Sequence, residues 1–218
     1  MTRSDATAVI IFARAPRPGA VKTRLIPVLG ADGAAALHAQ LVKRALETAR
    51  AASFRRIELH GTPDINDSFF RSCAGHFTVA LEAQAGGDLG ARMLAAFVSV
   101  LASRPRALLI GSDCPALAAR HLRQADRALR EGSDAVFVPC EDGGYALIGL
   151  QRPEARLFDG IAWGGENVMA DTRSRLTGLG WRWRELETLW DVDRPEDYAR
   201  LVSSGLLDTR RGAMMNAE

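Results

Sequence analysis

The sequence predicts an α/β fold: a single-domain three-layer α/β/α sandwich whose sheet is mostly parallel, with an antiparallel excursion. Three observations predict it. Short, wholly apolar runs at 9–13, 107–110 and 135–138 have the composition of strands covered on both faces. Between them lie Ala- and Leu-rich stretches at helical spacing, and strand, helix, strand, helix is the rhythm of a parallel sheet. After Pro139 the turn formed by Glu141, Asp142, Gly143 and Gly144 enters an apolar run at 145–150 with no helix between, so that strand returns antiparallel.

The elements follow in order. The first strand, 9–13, opens into a loop in which Pro16, Pro18 and Gly19 forbid helix and stiffen an extended backbone. Asp32 is placed to cap a helix over 33–52. A second strand is expected at 56–60, then a short helix opened by Thr62 and Pro63 and ending near Cys73, then a third strand at 77–83. The glycine-rich segment 85–93 precedes a helix that Asp88 can cap and that runs to about Ser103. The strand at 107–110 ends in Gly111, Ser112, Asp113, Cys114 and Pro115, and a helix is expected over 118–131. Beyond the antiparallel strand come a loop with Trp163, a helix over 167–176, a strand at 181–186 and a last helix at 195–202. Residues 1–208 are read as one nucleotide-binding transferase domain and 209–218 as a flexible tail.

Composition limits the function. A net charge of +2, with no run of basic residues, argues against a nucleic-acid partner. The apolar run near the N-terminus is far shorter than the roughly 20 residues of a membrane span, so no membrane and a cytoplasmic location are expected. Cys73, Cys114 and Cys140 lack metal-ligand spacing and are read as free thiols. His38, His60, His76 and His121 show no paired pattern that would hold a metal.

Chemistry concentrates after strand ends, where open α/β sheets form their ligand crevice. The first loop carries Arg14, Arg17, Lys22 and Arg24, either as a solvated basic turn or as an anion site. Lys22 favours the anion, because a chain with 28 basic residues uses lysine only at 22 and 43, and a compact ammonium suits a phosphate oxygen. The spacing from Gly19 to Lys22 and Thr23 excludes a P-loop. Asp113, Asp191 and Asp193 are either helix caps or ligands of a magnesium ion, which wants one or two carboxylates plus substrate phosphates. Gly87, Asp88 and Gly90, with Arg92 nearby, fit either close backbone approach to a nucleotide or simple turn chemistry. Asp142, Gly143 and Gly144 offer the same choice for a second substrate, and Tyr145 and Trp163 are either platforms for it or core residues.

These motifs carry a resemblance. The run from Phe12 to Leu25, FARAPRPGAVKTRL, is similar to the opening of an uncharacterised bacterial family within the glycosyltransferase-A-like, nucleotide-diphospho-sugar transferase superfamily. GDLGARM at 87–93, LIGSDCP at 109–115, DAVFVPCEDGGYALIGL at 134–150 and DVDRPED at 191–197 extend the match over nearly the whole chain. The superfamily includes molybdenum-cofactor guanylyltransferases and 2-phospholactate guanylyltransferases, whose Lys-Ser-Arg-Leu run resembles Lys22 to Leu25. The resemblance implies that Lys22 and Arg24 hold nucleotide phosphates and act with Asp113 in catalysis, that Ala13, Arg14 and Gly19 belong to the nucleotide site, and that Mg2+ or Mn2+ sits on Asp113 and Asp193. The expected function is transfer of an NMP group from an NTP to a small, possibly phosphorylated acceptor with release of pyrophosphate. Glycosyl transfer from a nucleotide sugar is the alternative on the same fold, and a non-catalytic nucleotide-binding module is the alternative of another class.

Overall fold

A computed structural model describes residues 6–207; the expected tail at 209–218 lies outside the described residues. Seven strands form one sheet: β1 (Thr7–Arg14), β2 (Arg56–Thr62), β3 (Ala80–Ala83), β4 (Arg106–Ile110), β5 (Ala135–Pro139), β6 (Tyr145–Leu150) and β7 (Trp183–Glu185), in the order β3-β2-β1-β4-β6-β5-β7. All pairings are parallel except those of β6, which runs antiparallel between β4 and β5. The antiparallel excursion thus falls at the strand where turn chemistry leaves no room for a helix.

Helices cover both faces. On one, α1 (Ile26–Ala51), α2 (Ser68–Phe77) and α4 (Ala119–Arg130) pack Leu46, Phe70, Phe77, Leu122 and Leu129 onto Ile11, Leu59, Leu108 and Val136. On the other, α3 (Leu89–Leu101) and α5 (Val168–Gly178) pack Met93, Phe97, Met169 and Leu176 onto Ile10, Leu109, Phe137 and Ile148. This is the three-layer sandwich. The last helix, α6 (Pro195–Ser204), adds Leu201, which joins Val192 against Leu25, Leu37 and Leu41 and so ties the C-terminal segment to the basic loop.

Three boundaries depart from expectation for local reasons. Helix α1 starts at Ile26 because Pro27 suits the first turn, and it kinks at Gly30 (φ 67°, ψ 170°), so Asp32 lies inside the helix and is not its cap. Pro63 follows a cis peptide in the connection after β2, and α2 instead begins at Asp67, whose side chain accepts from the Phe69 N–H. Phe77 closes α2 rather than opening a strand. Asp88 does cap α3, accepting from the Ala91 N–H at 2.8 Å. By length and hydropathy alone α1 could cross a bilayer, but Leu41, Val42, Leu46 and Ala49 are buried within the fold.

Candidate nucleotide and acceptor site

The C-terminal ends of β1 and β4 open into a cavity of about 530 Å3. Ala13, Arg14, Lys22 and Arg24 line one wall, Arg92 and Gln84 another, and Asp113 and Asp193 face them. The loop is shaped by its sequence. Pro18 and Gly19 occupy the middle of a turn closed by the Ala20 N–H on the Arg17 carbonyl at 3.0 Å, with Gly19 at φ 77°. Lys22 then adopts the left-handed conformation (φ 47°, ψ 41°), unusual for a residue with a long side chain. Its ammonium, 5% exposed, meets Asp113 Oδ1 at 2.7 Å. Arg24 pairs in the same way with Asp193 Oδ2.

Neither aspartate caps a helix. The α6 N-terminus is served by Asp197, whose Oδ2 accepts from the N–H groups of Arg194 at 2.8 Å and Asp193 at 3.1 Å. The α4 N-terminus uses His121 Nδ1, which accepts from the Ala118 N–H at 2.9 Å. Removal from bulk water raises the Asp113 pKa, yet Lys22 and then His38 outweigh it and hold the carboxyl below its ordinary value.

A second cavity of about 620 Å3 adjoins the first, sharing Arg24 and Asp193 with it. Asp142 and Gly143, the acceptor candidates of the sequence, line it together with Asp191, Glu141, Glu166 and Trp190. Arg200 engages Glu141 at 2.7 Å and stacks over the Trp190 ring at 4.5 Å. Asp191 is pushed up to about 6, first by burial and then by Asp142. Carboxylates crowded in this way fit a cation: among the described residues no three ligating side chains converge into a closed cage, but magnesium needs only one or two carboxylates when phosphates complete its shell. Asp113, in the first cavity, and Asp193, shared by both, could hold it.

Other expectations are corrected. Gly87 takes φ 97° in the turn before α3, and Gly90 lets α3 approach Trp163, whose Nε1 would lie 2.6 Å from a Cβ there; with Gly19 and Asp88, they shape elements and do not line the nucleotide cavity. Tyr145 and Trp163 are core residues. Tyr145 packs edge-on to Phe137 at 5.3 Å and to Trp163 at 6.5 Å, and neither ring lines the acceptor cavity. Gly144 donates to Asp142 Oδ1 at 2.9 Å and so shapes the turn. Arg17 turns away to Asp67 at 3.1 Å. Cys114 meets Cys140, whose thiol is pushed up by that hydrogen bond and by burial. Sequence reasoning passed over His38, Thr62, Gln84 and Ser112, which line the nucleotide cavity without any local pattern to mark them.

Comparison with known proteins agrees with this architecture. Residues 41–165 match the family described as "Uncharacterized protein conserved in bacteria (DUF2064)". A protein from Desulfovibrio desulfuricans G20, named as a nucleotide-diphospho-sugar transferase, superposes with a TM-score of 0.80 at 30% identity, over 87% of this chain and 83% of that one. A cytidylyltransferase from Leptospira borgpetersenii shares the fold at 17% identity (TM-score 0.61; 94% and 89% covered). So does a CMP:2-keto-3-deoxy-manno-octonic acid synthetase complexed with CTP, at 10% identity (TM-score 0.59; 93% and 100% covered). No curated protein matches the sequence. The chain belongs to the bacterial family described as DUF2064, and it is a transferase of the glycosyltransferase-A-like, nucleotide-diphospho-sugar transferase superfamily.

Proposed function

We propose that this chain is a magnesium-dependent nucleotidyltransferase that moves an NMP group from an NTP to a hydroxyl of a small acceptor and releases pyrophosphate. The observation that carries the reading is that two cations of the first loop, Lys22 within the first cavity and Arg24 where the two cavities meet, each stand against an aspartate. The acceptor oxygen forms a bond to the α-phosphorus as the α–β phosphoanhydride bond breaks, the pyrophosphate takes the bonding electrons, and the hydroxyl proton passes to a carboxylate of the acceptor cavity. Such chemistry asks for positioning and charge neutralisation rather than a protein nucleophile.

Asp113 and Asp193 would hold the cation, which when bound supplies positive charge to phosphate oxygens. Lys22 and Arg24 exchange their carboxylates for the phosphates and stabilise the departing pyrophosphate; Arg14 and Arg92 add to the same wall. The acceptor cavity narrows the second substrate. Asp142, Glu166 and Asp191 would repel a phosphorylated acceptor, so an uncharged or cationic hydroxyl compound fits better than the phosphorylated one considered from sequence. Glycosyl transfer from a nucleotide sugar is the second reading, favoured by the likeness to the Desulfovibrio protein; it accounts less well for a basic wall suited to a triphosphate.

The test is binding and turnover together. Lys22→Ala should weaken NTP binding by about 1.5–3 kcal/mol, the scale of a hydrogen bond to a charged group, with the melting temperature of the protein alone kept. Pyrophosphate release should rise with neutral sugars and polyols over their phosphates. Equal NTP affinity in variant and wild type, or turnover of nucleotide sugars without pyrophosphate release, would overturn the assignment.

A further inference from the structure

His38, on α1, lines the nucleotide cavity with a side chain only 6% exposed. Its Nε2 lies 3.1 Å from the Arg14 carbonyl oxygen. A carbonyl can only accept, so Nε2 carries the hydrogen, and a neutral ring then presents Nδ1 as a bare lone pair. A doubly protonated ring would donate from Nδ1 to the Asp113 carboxylate beside it, and no such bond is made. Nδ1 is buried and has no hydrogen-bond partner. Asp113 Oδ1, which takes the Lys22 ammonium at 2.7 Å, stands 3.8 Å from it, so the neighbour of Nδ1 is an acceptor and supplies no donor. The basic residues that line the cavity, Arg14, Lys22, Arg24 and Arg92, are donors, which makes this imidazole lone pair a polar exception among them.

We propose that His38 is a binding residue of the nucleotide cavity, a fixed acceptor whose Nδ1 receives a hydrogen bond from an O–H donor that arrives with the ligand. Two sources present that chemistry, a water in the shell of the divalent cation at Asp113 and a ribose hydroxyl of the nucleotide. The inference rests on the proposed binding of nucleotide and cation in this cavity. The Arg14 carbonyl is what makes the acceptor fixed, because it holds the ring in one tautomer, and β1 in turn holds that carbonyl.

The test uses two variants that divide the ring's functions. In His38→Gln the amide nitrogen reaches the Nε2 position and keeps the bond to Arg14 but loses the acceptor; in His38→Asn the amide oxygen stands near Nδ1 and the bond to Arg14 is lost. Calorimetric titration of ATP, CTP, GTP and UTP into the full chain, with magnesium and again with EDTA, should show His38→Gln binding the preferred nucleotide with magnesium about tenfold more weakly, the worth of one hydrogen bond. His38→Asn should stay near wild-type affinity while its melting temperature falls. A purely structural role reverses that order and overturns the proposal. A loss that vanishes in EDTA assigns the donor to cation-borne water; one that persists in EDTA and vanishes with a 2′- or 3′-deoxy nucleotide assigns it to the ribose. A loss that persists in every arm, or none at all, overturns the proposal. The nitrogen resonance of His38 Nδ1 in wild-type protein supplies a readout independent of variant folding: it should move upfield on addition of the preferred nucleotide with magnesium, and an unmoved resonance overturns the proposal. Wild-type protein that binds no nucleotide removes the underlying reading and this one with it, whereas wild-type binding with an indifferent His38→Gln removes only the role of His38.

Discussion

Gly143 combines two constraints that one residue type satisfies. Its φ is 89°, and a Cβ there would lie 1.9 Å from the Glu166 carbonyl oxygen, backbone that cannot rotate aside. Gly164, across the same cavity, shares the positive φ (83°) but has open space around it. The pair separates conformational strain from collision. Gly164→Ala should cost about 1 kcal/mol, the strain term alone, and Gly143→Ala roughly 3 kcal/mol or more, because a clash with fixed backbone adds to it. Denaturant midpoints would decide it, and equal losses would mean that the loop at Glu166 yields. Legibility at this scale was uneven. That Lys22, Arg24, Asp113, Asp142 and Asp193 would line cavities was readable because charge on a loop after a strand has few structural uses. His38 was not, since a histidine inside an Ala- and Leu-rich helix looks like any core polar residue until its neighbours in space are known. Tyr145 and Trp163 stayed open between platform and core for the converse reason: an aromatic beside a glycine turn reads the same whether it faces a cavity or a core.

Capping and ion pairing divide cleanly between nearby residues at the start of α6. Asp197 reaches back to two N–H groups, whereas Asp193 points its carboxylate to Arg24. Asp197→Ala should therefore lower stability by about 1 kcal/mol, the usual worth of a cap, with nucleotide affinity little changed. Asp193→Asn should hold the melting temperature of the protein alone and lose the added stabilisation that magnesium with nucleotide gives the wild type. Thermal melts of both, with and without ligands, check the division; a stability loss in Asp193→Asn equal to that of Asp197→Ala would return Asp193 to capping. Helices whose caps lie in sequence, as Asp88 does for α3, were readable. Those served from elsewhere, as when His121 serves the start of α4 from one turn inside it, were not, and a proline such as Pro27 reads as a break when it is in fact a start.

At the scale of the whole molecule, the sheet gathers like charge at one mouth, and stability should register it. Asp191 titrates at about 6 in the folded protein against 3.8 ordinarily, so its native state holds the proton more tightly; the associated stability is present below the ordinary value and is lost as pH rises through about 6. Asp191→Asn, which cannot ionise, should melt higher than wild type at about pH 7 and show little advantage at about pH 3, below the ordinary carboxylate value. A difference that does not change between those pH values would show that Asp142 and burial do not act on Asp191 in this way. The fold itself was legible at this scale because alternation of apolar runs with helical stretches is a long-range pattern that local irregularities do not erase. The division into two cavities was not, since Arg24 and Asp193 are 169 residues apart in sequence. One feature of the sheet reaches further. Because β6 runs back between β4 and β5, the five residues from Cys140 to Gly144 bring the chain to the acceptor cavity and away again with no helix attached, while the phosphate wall is built from β1, β4 and their loops. Exchange of one short hairpin turn and its docking partner near Glu166 would therefore reshape the second cavity and leave the lining of the first in place.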